Sequence, residues 1–551
     1  MKVKRFLLLF LCAVMLFSMV ACSGETTSKS AESADASASS TASTEPSSAD
    51  ASEAQSNTGY SQGQIVSTEP TGIVSSKDSM IVVVPADPGS LDPHDSVTQN
   101  KHQSTRQIYE TLVVYDDDGN LIPWLAESWE YADDCTINFK IREGVKFHNG
   151  EELKASDVAF SFSKIAESPH ASSIRATIDF ENSKALDDYT FEMKLTEPFG
   201  PILNHLSHAV MAIVNEKAYT EAGDQVNEKP CGTGPYKFVA WYPADRIEMV
   251  AFDDYWGEKA AITNLTWRTI PEIASRSIEV EAGTVDVAID IQASELARLE
   301  KVEKVTTFKE ERSSINFICL NNLIAPFDNV KVRQAINMAI DVDAICNVVY
   351  QGTGAVAQAP MSKSVWAYND NLPPHERNVE KAKELLAEAG YPDGFTCTMT
   401  CDQNQQRLDT AEMVQMQLAE IGITMKIASM ERGTFIDNVI SGNLEMFGLG
   451  WTADTGDPDY ALFASFHSSM HGEGGNMSFY TNPEVDRLLD LGRSSTDPEV
   501  RKDAYYKVQE IVWNEVPCVF LQCPEDLYAY NSNLKNFATN ADGSIKFAQL
   551  S

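Results

Sequence analysis

Residues 23–59 contain no Leu, Ile, Val, Met or aromatic residue. A run of Ser, Ala and Thr with scattered acids has nothing to bury and stays disordered. Whatever folds in this 551-residue chain must therefore fold after about residue 76. Residues 23–76 read as a tether of roughly 40 Å r.m.s. reach. The remainder is too long for a single core and reads as several lobes. Beyond Val20 there is no run of about 20 apolar residues, so no second membrane span is expected.

The tether follows a leader. Lys2, Lys4 and Arg5 make a basic start, and residues 6–20 an apolar core too short to span as a mature helix. The segment Met19-Val20-Ala21-Cys22 resembles a bacterial lipobox, which implies cleavage before Cys22 and a lipid on its sulfur. The plainer alternative is an ordinary secretory signal with an incidental Cys. A lipid at one end and a folded body at the other place the protein extracytoplasmically, anchored to the cell membrane but not within it.

The formal charge is −37, and the leader carries three of the basic residues and no acid. That balance argues against nucleic acid, whose phosphates need a basic face. It fits a solvated acidic surface better than a trap for cations. Setting aside Cys12 and Cys22, eight cysteines remain: Cys135, Cys231, Cys319, Cys346, Cys397, Cys401, Cys518 and Cys523. None forms a CxxC. Cys397 and Cys401 lie four apart in one expected strand, where a direct bridge is strained. An exported chain can form disulfides, but spacing alone assigns no pairing.

Strand and helix signals alternate from residue 80 onward. MIVVVP at 80–85 reads as a strand, followed by a loop at 86–93 and a helix at 102–112. Residues 136–141 alternate as a strand, and 144–147 read as a second one closed by Asn149-Gly150, a strong turn signal. Helices are expected at 156–165, 273–282, 330–339, 342–349, 379–389 and 408–421, the last two stopped by Gly390 and Gly422. Strands are expected at 236–241, 285–289, 314–320, 395–400 and 423–428. This order suggests an α/β chain with a mixed sheet wound by helices.

The most suggestive stretch is LEMFGLGWTADTGDPDY at 444–460. Its first half reads as a short buried strand. Its second half holds Asp454, Asp457 and Asp459 around Gly456 and Pro458. A buried strand thus empties at its carboxyl end into an acidic turn, and ligands sit at that end of α/β sheets. Trp451 offers an aromatic wall and Asp454 an acceptor for an ammonium. On its own the turn also fits a surface turn whose acids cap a following helix.

Several short blocks stand out along the chain: Leu91-Asp92-Pro93, Tyr109-Glu110, Leu125-Ala126-Glu127-Ser128-Trp129, Phe139-Lys140-Ile141-Arg142, Val145-Lys146-Phe147-His148, Gly150 and Asp157-Val158. Further blocks are Gly232-Thr233-Gly234-Pro235-Tyr236, Pro326-Phe327-Asp328, Val332-Arg333-Gln334-Ala335-Ile336, and residues 382–390 with the YPDGF that follows. Each is weak alone; in this order and spacing they resemble the family 5 solute-binding proteins, the peptide and nickel binders of ABC importers, from residue 80 to the C-terminus.

The resemblance implies a periplasmic-binding-protein-like, two-lobed α/β fold with an extra subdomain, of the cluster C type. The first lobe would comprise 77–112, 229–313 and 516–551, the subdomain 113–228 and the second lobe 314–515. A solute binds between the lobes, which close over it and dock on a permease. In the peptide-binding branch an Asp three residues after a Trp pairs with the peptide ammonium; Trp451 and Asp454 have that spacing. GDPDY at 456–460 also looks like the dipeptide-binding branch. Gly450 and Thr452 would bond the peptide main chain, and Arg407 is the candidate for a carboxylate. Asp457 and Asp459 read as turn and cap residues. The expected function is a monomeric binding lipoprotein for short peptides, without cofactor. The alternatives are another solute on the same fold, such as a nickel chelate, oligosaccharide or opine, or a secreted hydrolase.

Other constellations are weaker. His467 and His471 are spaced i, i+4, but Gly472, Gly474 and Gly475 make their surroundings loop-like, so no metal site is expected. His205 and His208 read as core or rim. No GxSxG, HExxH or phosphate loop is present, and acid pairs are too frequent here to mark a glycosidase.

Overall fold

The computed structural model describes residues 64–65, 78–95, 99–116, 119–169, 171, 175–540 and 543–551. The leader, Cys22 and nearly all of the tether lie outside these residues. Among the described residues no helix is long and apolar enough to cross a membrane.

Two large sheets make two lobes. The first has eight strands, in the spatial order Gln64–Ile65, Tyr236–Tyr242, Arg246–Ala251, Asn264–Thr269, Ser79–Val84, Val287–Ile289, Glu525–Asn531 and Val305–Glu311. Its centre is SMIVVV, flanked on both sides by parallel neighbours. Such a strand is covered on both faces, hence its unbroken apolar run. Met80, Val82 and Val84 enter one core, Ile81 and Val83 the other, with the strand's period of two.

The second sheet has six strands, in the order Ala355–Val356, Cys518–Cys523, Ser314–Leu320, Met446–Thr452, Thr396–Cys401 and Thr424–Ser429. Ser314–Leu320 repeats the two-faced pattern: Ile318 and Leu320 face one core, Ile315, Phe317 and Cys319 the other. The third body is a four-stranded antiparallel sheet, Ala126–Asp133, Thr136–Ile141, Thr190–Leu195 and Ile178–Ala185, covered by helix Ala155–Glu167. Its expected strand at 144–147 is only a turn with one bridge, Lys146 to Glu152. The expected helix at 102–112 is the shorter Gln99–Thr105.

The lobes are joined by two neighbouring crossings. Val305–Glu311 runs into Ser314–Leu320, and Cys518–Cys523 returns into Glu525–Asn531. The outgoing and returning strands pair antiparallel in both sheets. Between them Arg312 N donates to the Pro524 carbonyl at 2.8 Å, and the Arg312 guanidinium pairs with Asp526. The return crossing therefore lies at Pro524, later than the residue 516 expected. Cys518–Cys523 is buried throughout and takes its ladder partners from the second sheet.

One of the contacts between subdomain and first lobe is built around a single carboxylate. Glu110 Oε1 accepts from Trp124 Nε1 and the Tyr255 hydroxyl, both at 2.8 Å. Its Oε2 accepts from Thr233 Oγ1 at 2.7 Å and Trp256 Nε1 at 3.0 Å. Burial pushes the Glu110 carboxyl above its usual range, against the opposing effect of these four donors. Glu110→Ala strands all four donors in a dry site. We expect a loss on the order of 3 kcal/mol in urea unfolding, with Glu110→Gln losing less. A loss below about 1 kcal/mol would mean that water replaces the carboxylate.

Candidate functional site

The acidic turn sits where the two sheets meet, and register explains why. Thr452, the last residue of its strand, is paired with Ser314, the first residue after the outgoing crossing. Their hydroxyls meet at 2.9 Å. Ala453 N then donates to the Ser313 carbonyl at 2.6 Å. The carboxyl end of strand Met446–Thr452 is thus delivered to the junction of the lobes.

The three carboxylates of the turn have separate fates. Asp457 is fully buried, and Arg501 Nη2 donates to both of its oxygens, at 2.7 and 2.8 Å. Asp459 is also buried, with Oδ1 3.3 Å from Arg493 Nε. Asp457 is a turn residue as the sequence suggested, its Oδ1 accepting from Asp459 N at 2.9 Å, but both acids are buried beside arginines and not on the surface. Asp454 is exposed. Two of the three carboxylates are thus buried beside arginines, and the third is exposed on a turn that register brings to the junction.

Arg493 and Arg501 come from two helices that the sequence reading passed over, Pro483–Ser494 and Pro498–Glu515. A signal for them was present. Asn482-Pro483 and Asp497-Pro498 each place a side-chain cap directly before a first-turn Pro. The caps set where each helix starts and hence where its Arg falls.

The subdomain clasps the same turn. The Tyr115 hydroxyl donates to the Thr455 carbonyl at 2.5 Å and accepts from Asn204 Nδ2 at 2.7 Å. Gly456 has φ +64°, and a Cβ there would stand 3.2 Å from the Tyr115 oxygen. From the same subdomain, Gly200 N donates to the Arg493 carbonyl at 2.8 Å, and Phe199 lies under the Arg493 guanidinium.

Trp451 is half-buried and fixed: its Nε1 donates to the Tyr460 carbonyl at 2.8 Å. Gly450 faces Asn316, whose Oδ1 would lie 2.6 Å from a Cβ, so a larger residue at this point of the strand would push the Asn316 side chain aside. Beneath the turn is a small cavity of about 10 Å³ between Ser314, Phe317, Pro360, Trp451 and Phe466. That is room for one water. A wider groove of about 540 Å³ lies away from the junction, on the subdomain among Glu151, Lys154, Asn215 and Glu221.

Arg407 stands at the carboxyl end of Thr396–Cys401, on the first turn of helix Gln405–Ala419. Its stem lies against Gly448 of the central strand. Its Nη1 donates to Asp402 Oδ2 at 2.6 Å, and Arg432 Nη1 donates to the same oxygen at 2.7 Å. Against the opposing effect of burial, these two cations hold the Asp402 carboxyl below its usual range. Arg407 is therefore already in an ion pair, though two guanidinium groups share one carboxylate. His467 bonds Ser469 and stacks on Phe463, and His471 bonds the Tyr480 carbonyl.

Residues 120–472 match the model of the bacterial extracellular solute-binding proteins, family 5 (middle). The chain is a family 5 solute-binding protein of ABC importers. It is 31% identical to the glutathione-binding protein of Pectobacterium atrosepticum over 83% of this chain and 91% of that one. It is 32% identical to heme-binding protein A of Haemophilus influenzae over 76% and 81% of the two chains. Among solved structures it superposes, with TM-score 0.70, on an ABC transporter-associated periplasmic binding protein from Helicobacter pylori in complex with the peptide STSA. That pair is 30% identical over 86% of this chain and 97% of the other. These relatives are binding proteins, and two-lobed α/β architecture is common to this family 5 chain and its structural neighbours.

The turn makes a pH-dependent contribution to stability. Burial is the main cause that raises the Asp459 pKa to about 7, with the Asp457 charge adding to it and Arg493 opposing. An acid raised in the folded state stabilises the fold below its unfolded pKa of about 3.8, and this contribution is lost as pH rises through about 7. The stability advantage of the wild type over Asp459→Asn should therefore be largest near pH 4 and shrink towards pH 7 in urea unfolding. A constant difference over that range would mean that Asp459 stays ionised.

Proposed function

We propose that this protein is the substrate-binding lipoprotein of an ABC importer and that its solute is a short peptide with a free amino terminus. The observation that carries the reading is the register that brings one turn to the lobe junction: Thr452 pairs with Ser314, so the exposed Asp454 and the fixed Trp451 lie beside the outgoing crossing. Asp454 accepts the peptide ammonium, Trp451 packs beside it and screens the pair from water, and the Gly450 and Thr452 backbone bonds the peptide main chain. Arg407, sharing Asp402 with Arg432, takes a peptide carboxylate. Main-chain recognition leaves side chains free to vary. The lobes, with boundaries near residues 313 and 524, close over the peptide by hinge motion, and the closed form docks on the permease. The reading draws support from the peptide complex of the Helicobacter pylori relative. Heme, which the name of another relative carries, marks the competing reading of a non-peptide solute, whereas glutathione, carried by a third, is itself a tripeptide with a free amino group.

A charge-assisted hydrogen bond in a dry site is costly to break on one side only. Asp454→Ala should weaken peptide binding by about 2–5 kcal/mol, roughly 30-fold or more. N-acetylation of the peptide should cost the wild type a similar amount and the variant little more. Calorimetry on the four combinations is a double-mutant cycle. Equal binding of free and acetylated peptides by the wild type would move the non-peptide solute ahead.

Membrane attachment rests on Cys22. Cys22→Ser should yield an exported protein found in the soluble fraction after a salt wash. Retention of that variant in the membrane fraction would rule out the lipid anchor.

A further inference from the structure

We propose that Cys319 and Cys518 form a disulfide that ties the outgoing and returning strands of the second lobe together. The two residues are directly opposed in the antiparallel ladder between Ser314–Leu320 and Cys518–Cys523. Leu320 N donates across the strands to the Pro517 carbonyl at 3.1 Å. That bond belongs to the next rung, so Cys319 and Cys518 occupy the non-hydrogen-bonded rung between two bonded ones. Opposed Cα atoms stand about 4.5 Å apart in such a rung. That spacing is within the range of disulfides.

The side chains agree with the backbone. Both cysteines are buried, and both face the same core with Ile315, Phe317 and Phe520. The Cys518 thiol also acts electrostatically on the Cys319 thiol, as expected of near neighbours. Three other cysteines of the lobe have other partners. Cys346 donates to the Leu521 carbonyl, Cys397 to the Met446 sulfur and Cys401 to the Arg407 carbonyl. Both thiols are free in this structure.

The chemistry is thiol–disulfide exchange with a small-molecule or protein disulfide. One thiolate attacks that disulfide and forms a mixed disulfide, releasing one thiol. The second thiolate displaces the other half. Cys319 and Cys518 lose two protons and two electrons, and the oxidant leaves as two thiols. Burial pushes the Cys319 thiol well above its ordinary range, so attack in the finished fold is slow. The bond forms while the strands are still assembling. Nearly the whole second lobe lies within the loop it closes, and a long loop gives a cross-link its largest effect on the unfolded chain.

The test uses the full chain, exported and purified without reductant, then denatured in guanidinium with iodoacetamide and mapped by mass spectrometry. The expected result is one cross-linked fragment joining Cys319 to Cys518, two mass units below the sum of its peptides, with the other mapped cysteines alkylated. To remove any dependence on the host, the reduced full chain is also refolded with glutathione disulfide. If Cys319 and Cys518 are still alkylated after that refolding, or either is bonded to a different cysteine, the proposal fails. A second readout is thermal unfolding with and without dithiothreitol. Reductant should lower the midpoint of the wild type and leave that of Cys319→Ala unchanged. Equal shifts in the two proteins, or none in either, would overturn the assignment.

Discussion

The two lobes of this protein share one pair of strands. Val305–Glu311 and Glu525–Asn531 pair in the first sheet, their continuations pair in the second, and Arg312 to Pro524 bridges the gap. Two crossings side by side restrict the lobes to bending about one line. A single connection would also allow them to twist. The same register places Thr452 opposite Ser314, so the strand that ends in the acidic turn must end at that line. The position of the candidate site is thus a property of the ladder and would survive changes in the turn itself.

Burial then separates the three acids of the turn. A chain with a formal charge of −37 has acids everywhere, and an exposed Asp is no signal in itself. What distinguishes Asp454 is its company. Two neighbouring acids are drawn into the core by arginines on capped helices, and the subdomain holds the intervening carbonyl through Tyr115. The turn is braced from the second lobe and from the subdomain at once. Under the function proposed above, such bracing would lower the ordering cost of binding a ligand at this turn.

Much of this was legible in the chain. SMIVVV and SINFICL announce strands covered on both faces, and the Gly390 and Gly422 stops mark helix ends to within a few residues. The Trp451–Asp454 spacing pointed to the same turn that the register brings to the junction. What the sequence hid was long-range. Asp457 and Asp459 look like turn residues because their arginine partners lie tens of positions further on. The return crossing was expected at residue 516 because CVFLQC has no break to show which sheet takes it. Residues 144–147 read as a strand because the Asn-Gly turn signal is local and the missing partner strand is not. Arg407 has its partner only five residues away, and there the ionic pairing was open to inspection from the start.

The placement of Glu525–Asn531 has a consequence for the order of assembly. This strand, almost the last of the chain, lies between Val287–Ile289 and Val305–Glu311, which were made more than two hundred residues earlier. Until it arrives, those two strands have no neighbour on their facing edges, and the first sheet exists only in part. The second lobe and the subdomain are each contiguous or nearly so, and can condense while the first lobe waits. A family 5 extracellular protein has to leave the cytoplasm before it works. By holding back the strand that fills this gap to the end, the topology leaves the first sheet unfinished until synthesis of the chain is nearly complete.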